Sequence, residues 1–136
     1  MNELVLISCV SKKLSYKARA EKLYKSPWFE SSMKYAKSLK PHAIFILSAK
    51  YGLLALDQEI EPYDLTLKTM RKSQVKNWAN IVIDQLRCHC DLRNDEFIIL
   101  AGDKYRKYLV PHLDHVKIPL KGMRIGEQLK WLKEHS

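Results

Sequence analysis

The stretch AIFILSAKYG, residues 43 to 52, joins a buried strand to an abruptly polar turn. Ala43 to Ser48 is a continuous run of large and β-branched apolar residues, which is typical of a strand covered on both faces. Glu3 to Ser8 (ELVLIS) and Glu96 to Ala101 (EFIILA) have the same form and also end in a small residue. Because strands covered on both faces occur mainly in parallel sheets between helices, the three runs predict an α/β fold.

The segments between these runs carry apolar residues at helical spacing. They predict helices over about Tyr16 to Tyr24, Trp28 to Leu39, Thr69 to Cys88, Lys104 to Val110 and Arg124 to Glu134. His115 to Ile118 is a shorter strand expected at an edge, and the acidic stretch Asp57 to Asp64 has no period and is predicted as a loop.

Strands that alternate with helices form βαβ units with right-handed crossovers. We therefore predict a Rossmann-like three-layer α/β/α sandwich whose mainly parallel sheet has about four strands, with Glu3 to Ser8 at its centre. The length of 136 residues is that of a single domain, residues 1–136.

Apolar runs, the N-terminus and the cysteines indicate the compartment in which the protein is expected. No apolar run reaches the 18 or so residues that a membrane span needs, and the N-terminus has no basic leader or small-residue cleavage site. The three cysteines are odd in number, and Cys88-His89-Cys90 is spaced too tightly for a disulfide or zinc pair of the Cys-x-x-Cys kind. We expect a cytoplasmic protein with free thiols and no membrane partner.

The chain is strongly basic, with a formal net charge of +9. Such an excess favours a polyanionic partner, because lysine and arginine near phosphates release counterions. Solubilising charges on solvated helix faces explain the same excess equally well.

Polar residues follow each predicted strand. In open parallel sheets ligands bind beyond the carboxyl ends of the strands, so these turns should meet at one rim. The residues concerned are Ser8, Cys9, Ser11, Lys12 and Lys13 after the first strand, Ser48, Lys50, Tyr51 and Gly52 after the second, Gly102, Asp103 and Tyr105 after the third, and Pro119, Leu120 and Gly122 after the fourth.

The first turn, Ser8 to Lys13, has the chemistry of an anion site. Its hydroxyls and backbone amides donate hydrogen bonds, and its lysines supply charge. It lacks the glycines of a Walker phosphate-binding loop. Cys9 is either a nucleophile or a small half-buried wall residue, and the lack of a histidine at a recognisable spacing favours the wall.

The second turn, Ser48 to Gly52, carries more information. Tyr51 is suited to stacking on a flat ring, and Lys50 to contacting a phosphate or stabilising developing negative charge. Gly52 supplies a positive φ or a close approach to a ligand. The structural alternative is a lysine stem lying beside a core tyrosine.

The loop that follows supplies a candidate acid or base. Asp64 in Pro62-Tyr63-Asp64 is the preferred general acid or base, with Tyr63 as a binding residue and Asp103 as the second candidate. A solvated acidic loop is the alternative. The five histidines show no ligand spacing such as His-Glu-x-x-His, and no glycine fingerprint for a dinucleotide is present, so we expect neither a metal nor a cofactor.

Five motifs occur in order along nearly the whole chain: SCVSKK, SAKYGLL, PYDLTL, AGDKY and PLKGMRIGEQLKWL. In these the chain resembles a family of small bacterial and phage proteins of unassigned function, with a Ser-Cys-Ser-x-Lys-like first turn, a Ser-Ala-x-Tyr-Gly-Leu second turn and a Pro-Tyr-Asp loop. It departs from that pattern at Val10, which separates Cys9 from Ser11.

The first turn is also distantly similar to a Cys-Ser-x-x-Lys segment in the catalytic core of archaeosine synthase, which modifies a deazaguanine in transfer RNA, and to the peroxide-stress YaaA proteins. The predicted sheet resembles that of uracil-DNA glycosylases by fold analogy alone. The similarity to archaeosine synthase and the YaaA proteins implies a nucleobase- or nucleic-acid-related activity, but no particular reaction, for Ser8, Cys9, Ser11, Lys12, Ser48, Lys50, Tyr51 and Asp64.

Three functional hypotheses follow. The first is a metal-independent enzyme that modifies a nucleobase or nucleotide or cleaves its glycosidic bond, with Asp64 activating water and Lys50 and Tyr51 holding the base. It predicts that both turns and the Tyr63-Asp64 loop line one pocket. The second is a basic nucleic-acid binding module without catalysis, and the third is a binder of a small nucleotide signal.

Overall fold

A five-stranded sheet organises the computed structural model, which describes all 136 residues. The chain forms seven strands: β1 (Glu3–Ser8), β2 (Ala18–Arg19), β3 (Ala43–Ser48), β4 (Gly52–Ala55), β5 (Glu59–Ile60), β6 (Glu96–Leu100) and β7 (His115–Lys117). It also forms five helices: α1 (Ala20–Leu23), α2 (Pro27–Ser38), α3 (Lys72–Arg87), α4 (Asp103–Arg106) and α5 (Ile125–His135). Short 3-10 turns occupy Leu67–Thr69 and Val110–His112.

The strand order of the main sheet is β4-β3-β1-β6-β7. β1 pairs in parallel with β3 and β6, and β7 extends the parallel set at one edge. The predictions of a mixed α/β fold, a mainly parallel sheet and a central first strand are therefore confirmed.

The sheet has one strand more than predicted. β4 lies antiparallel to β3, with Ser48 opposite Gly52 and Leu47 opposite Leu53. The second turn is consequently a hairpin and does not lead into a helix. Gly52 makes this reversal with a φ of +73°, a conformation that a side chain disfavours.

The apolar runs form the core as their sequences indicate. Leu6 in β1 lies opposite Phe45 on one side and Ile99 on the other, and Leu4 to Ile7 are fully buried. Helix α2 packs against α5 and β1, whereas α3 packs against β4 and α4.

The predicted helices α2, α3 and α5 are confirmed to within a few residues at their ends. Ser26 caps α2 by accepting a hydrogen bond from the Phe29 N–H at 3.0 Å, and Pro27 occupies the first turn, where a missing N–H costs nothing. The helix α4 is shorter than predicted, since it ends at Arg106 and the chain continues into a separate 3-10 turn.

The helix predicted over Tyr16 to Tyr24 is wrong. Only Ala20–Leu23 is helical, and the preceding β2 forms a two-stranded antiparallel ribbon with β5, inside the stretch that was predicted as a loop. The N–H of Ala20 donates to the Gln58 carbonyl at 2.8 Å, and that of Glu21 donates to the Leu56 carbonyl at 3.0 Å. The backbone of this segment therefore bonds to a distant part of the chain, which replaces the local bonds of a longer helix.

None of the helices is both long enough and apolar enough to cross a lipid bilayer.

Candidate functional site

A cavity of about 580 Å³ lies where β1 and β6 end. The first turn forms its floor, and α4 with the adjoining 3-10 turn Leu67–Thr69 forms one part of its wall. The beginnings of α2 and α5, which pack together, form another part. We call this space the rim cavity.

The first turn continues the sheet by one residue before it turns away. The Cys9 N–H donates to the Leu47 carbonyl at 2.9 Å. Ser8 and Cys9 are therefore buried at the cavity floor, whereas Ser11 and Lys12 are exposed. All four were predicted as ligand-binding residues, and all four line the rim cavity.

The first and third turns meet at a thiol and a phenol. The sulfur of Cys9 lies 3.3 Å from the Tyr105 hydroxyl, and both residues line the cavity. Burial raises the pKa of Tyr105, and Cys9 adds to the shift, so the hydroxyl stays protonated at neutral pH and is able to donate. The ring of Tyr105 is held edge-on by Trp78 at a centroid distance of 5.6 Å.

Cations outnumber carboxylates in the rim cavity. Lys12, Lys68 and Lys104 line it, and Asp103 is the single carboxylate among the lining residues. The ammonium of Lys104 is anchored, because it donates to the carbonyls of Lys68 at 3.0 Å and Met70 at 3.2 Å. The Asp103 carboxylate is 81% exposed and lies 3.9 Å from the Arg106 guanidinium, so it is open to a ligand.

Sequence reasoning missed the wall formed by α2 and α5. The indole N–H of Trp28 donates to Oε1 of Gln128 at 2.7 Å, and Nε2 of Gln128 donates to the Met123 carbonyl at 2.9 Å. The predicted fourth turn reaches the cavity only through the following helix, by way of Ile125 and Gln128. Trp28, directly after Ser26-Pro27, was the one residue in the sequence that could have indicated this wall.

The second turn is organised by the fully buried Ser48. Its hydroxyl oxygen accepts hydrogen bonds from the Lys50 N–H at 3.2 Å and the Tyr51 N–H at 3.0 Å, and its O–H donates to the Tyr63 hydroxyl at 2.7 Å. Such side-chain to backbone bonds stabilise a turn. Ser48, predicted to bind a ligand, is thus a structural centre of the hairpin.

The two turns open into separate spaces, in contrast to the single pocket predicted. Lys50, Tyr51 and Gly52 line a second recess of about 280 Å³, which has no lining residue in common with the rim cavity. Trp78 lines this recess while its indole packs on Tyr105 and donates to the Ser48 carbonyl at 2.8 Å. The division arises because the second turn reverses into β4 and folds over α3.

A cluster of tyrosines connects the second turn to the first. The Tyr63 and Tyr24 hydroxyls share a hydrogen bond of 2.6 Å, and the Tyr51 ring meets the Tyr63 ring edge-on at 5.5 Å. Burial raises the pKa of both Tyr24 and Tyr63. The ammonium of Lys13 lies 4.4 Å from the centre of the Tyr63 ring, which is a cation–π contact. Sequence reasoning missed Tyr24.

Asp64 lies outside both spaces. Its side chain is exposed, and it lines neither the rim cavity nor the second recess. Partial burial lowers the pKa of Lys13, and Cys9 and Asp64 oppose that shift electrostatically. The remaining predicted residues, Gly102 and Asp103, line the rim cavity together with Tyr105.

No three side chains of the His, Cys, Asp or Glu types lie close enough together to hold a metal ion. All three cysteines are free thiols.

Comparison with known proteins places the chain in a family. The sequence model of the family of unknown function DUF6884 matches residues 4–134. The Bacillus subtilis (strain 168) protein described as uncharacterized protein YfjM is 30% identical over 147 residues, which cover 97% of this chain and 93% of that protein. No solved structure matches the chain. The resemblance to an uncharacterised bacterial family is confirmed, and the chain belongs to the family of unknown function DUF6884.

Proposed function

We propose that the protein is a metal-independent enzyme that acts on a nucleobase, nucleotide or nucleic acid in the rim cavity, by base modification or glycosidic-bond cleavage. One observation carries the proposal: a cavity of about 580 Å³ that combines aromatic side chains, unpaired lysines and one open carboxylate. Its volume lies within the ~300–1,000 Å³ typical of small-molecule sites.

Each part of the cavity has a role in this chemistry. Lys12 and Lys68 neutralise a phosphate, and Trp28 offers an apolar face to a base. Asp103 is the general acid or base, because its carboxylate lines the cavity and has only a long contact with Arg106. Tyr105 supplies a protonated hydroxyl that stabilises developing negative charge.

The residues around the second recess act on a longer ligand. Lys50 and Tyr51 lie outside the rim cavity, so they would contact a strand that extends beyond it. Asp64 is retained as the second candidate for proton transfer, since it is exposed on the same loop as Tyr63.

The proposal includes a Rossmann-like three-layer arrangement. Its support is that α2 packs against α5 and β1, whereas α3 packs against β4 and α4.

A non-catalytic nucleic-acid binding module is the second candidate. It is favoured by the net charge of +9 and by lysines such as Lys12 and Lys68 that form no salt bridge. A module of this kind binds with an affinity that falls steeply as the salt concentration rises.

Mass spectrometry after incubation with bases, nucleosides, nucleotides and short oligonucleotides tests the enzyme. We expect a new product from at least one class, and we expect the Asp103→Asn variant to lose turnover while it still binds the substrate. Asp114→Asn is the matched control, because Asp114 is exposed and does not line the cavity.

Two results would count against the enzyme. A panel without any product rejects catalysis on these substrates. Salt-dependent binding that Asp103→Asn leaves unchanged, again without product, favours the binding module.

A further inference from the structure

Charge is unevenly distributed around the rim cavity. Every charged lining residue comes from the first turn, from α4 or from the 3-10 turn Leu67–Thr69. The wall formed by α2 and α5 contributes none, because its lining residues are Ser26, Trp28, Ile125 and Gln128. A ligand that satisfies both sides has an anionic end and an uncharged end.

The charged side also contains a free hydroxyl. Ser8 lines the cavity, and its side chain makes no hydrogen bond within the protein. A hydroxyl that faces a cavity without an internal partner is able to donate a hydrogen bond to a ligand oxygen.

The lysines on this side are also unpaired. Lys12 and Lys68 form no salt bridge, and the Asp103 carboxylate makes only a 3.9 Å contact with the Arg106 guanidinium. Two free ammonium groups and one free hydroxyl line the same cavity. Together they form the donor set that a phosphate monoester requires, since its oxygens accept several charge-assisted hydrogen bonds.

The uncharged side is suited to a base. Gln128 is held in place by Trp28 and by the Met123 carbonyl, yet its amide retains one hydrogen on Nε2 and one lone pair on Oε1. A carboxamide with one free donor and one free acceptor is able to form a paired hydrogen bond with the edge of a nucleobase. Trp28 and Ile125 provide the apolar surface beside it.

We infer that the ligand of the rim cavity is a phosphorylated nucleoside, with its phosphate at Ser8, Lys12 and Lys68 and its base at Trp28 and Gln128. The inference rests on the proposed nucleotide-related function and goes beyond it. It excludes free bases and unphosphorylated nucleosides as the preferred ligands, and it assigns Gln128 to base recognition and Ser8 to phosphate binding.

Calorimetric titration of the whole protein with four nucleosides and their 5′-monophosphates tests the inference. The best monophosphate should bind at least about tenfold more tightly than its nucleoside, since a hydrogen bond to a charged group contributes that much. Inorganic phosphate should compete with the monophosphate and leave nucleoside binding unchanged.

Single substitutions separate the two ends of the ligand. Ser8→Ala and Lys68→Met should weaken the monophosphate by about tenfold each and leave the nucleoside unchanged. Gln128→Ala should weaken both ligands alike. Lys72→Met is the matched control, since Lys72 is exposed and lies outside the cavity. Lys68 is exposed, so its variant serves as the test even where Ser8→Ala impairs folding.

The possible outcomes are distinct. A nucleoside that binds as tightly as its monophosphate overturns the inference and leaves the proposed function in place. If no nucleoside or monophosphate binds, the inference is overturned, and the proposed function is overturned as well if free bases and short oligonucleotides also fail to bind. A 5′-phosphorylated oligonucleotide identifies a strand end as the source if it binds more tightly than the mononucleotide, and the reverse order identifies the free nucleotide; both results support the inference.

Discussion

Replacing Gly52 by alanine should destabilise the protein for two separable reasons. The backbone of Gly52 has a φ of +73°, where a side chain costs about 1 kcal/mol. A Cβ at this position would also collide with Oε1 of Gln85. That oxygen accepts the Leu53 N–H at 2.8 Å, and Nε2 of the same side chain donates to the Tyr51 carbonyl at 3.3 Å.

The collision forces Gln85 away from two hydrogen bonds. Each is worth about 1 kcal/mol, and the buried Leu53 N–H would then lack a partner. Together with the backbone strain, Gly52→Ala should lower the free energy of unfolding by about 3 kcal/mol.

Urea unfolding, followed by tryptophan fluorescence, measures this change, and two other glycines serve as controls. Gly122 also has a positive φ, of +79°, but no atom lies within 4 Å of an added Cβ, so Gly122→Ala should cost only about 1 kcal/mol. Gly126 lies in α5 with free space around it, and Gly126→Ala should stabilise by up to about 1 kcal/mol.

A double-mutant cycle isolates the contact with Gln85. In a Gln85→Ala background the collision is absent, so Gly52→Ala should cost only the backbone strain of about 1 kcal/mol. The reasoning is refuted if Gly52→Ala costs no more than Gly122→Ala, or if the Gln85→Ala background leaves its cost unchanged.

Three further predictions concern the buried polar groups. Ser48→Ala removes the acceptor of two turn N–H groups and the donor to Tyr63, so it should lower the free energy of unfolding by about 2 kcal/mol in the same assay; an unchanged urea midpoint would contradict this. Burial holds the pKa of Tyr24 and Tyr63 above the ordinary value of 10, so these tyrosines ionise at a lower pH in the unfolded chain than in the folded protein. The free energy of unfolding should therefore fall as the pH rises above 10, and it should fall less steeply in the Tyr24→Phe variant. Cys9→Ala should retain turnover of any substrate found. If this variant is folded but turnover is abolished, Cys9 is the nucleophile.

Local sequence was sufficient to predict an element where it contained a continuous apolar run or a long stretch of apolar residues at helical spacing. The bounds predicted for β1 and β3 match the structure because most residues of these two strands are buried, which is the property that their apolar runs record. Helix α3 was predicted from the face that contains Val75, Trp78 and Val82, all of which are buried.

The predictions for short segments were wrong because contacts with distant residues decide the structure of those segments. The spacing of Tyr16, Ala20 and Leu23 fits a helix, yet Tyr16 is 63% exposed and the backbone N–H of Ala20 is bonded to Gln58. The hairpin after Ser48 was predicted as a turn into a loop, since β4 has only four residues and no alternation that marks a strand.

By itself, the sequence determined the mixed α/β class, the central first strand, and the placement of polar turns at the carboxyl ends of strands. These follow from apolar periodicity and chain direction, which are local properties. Only the tertiary structure decided that the second turn forms a separate recess, that Cys9 meets Tyr105 across 96 positions of sequence, and that Trp28 and Gln128 line the same cavity as Ser8. Those contacts depend on how helices pack on the sheet, which no local pattern specifies.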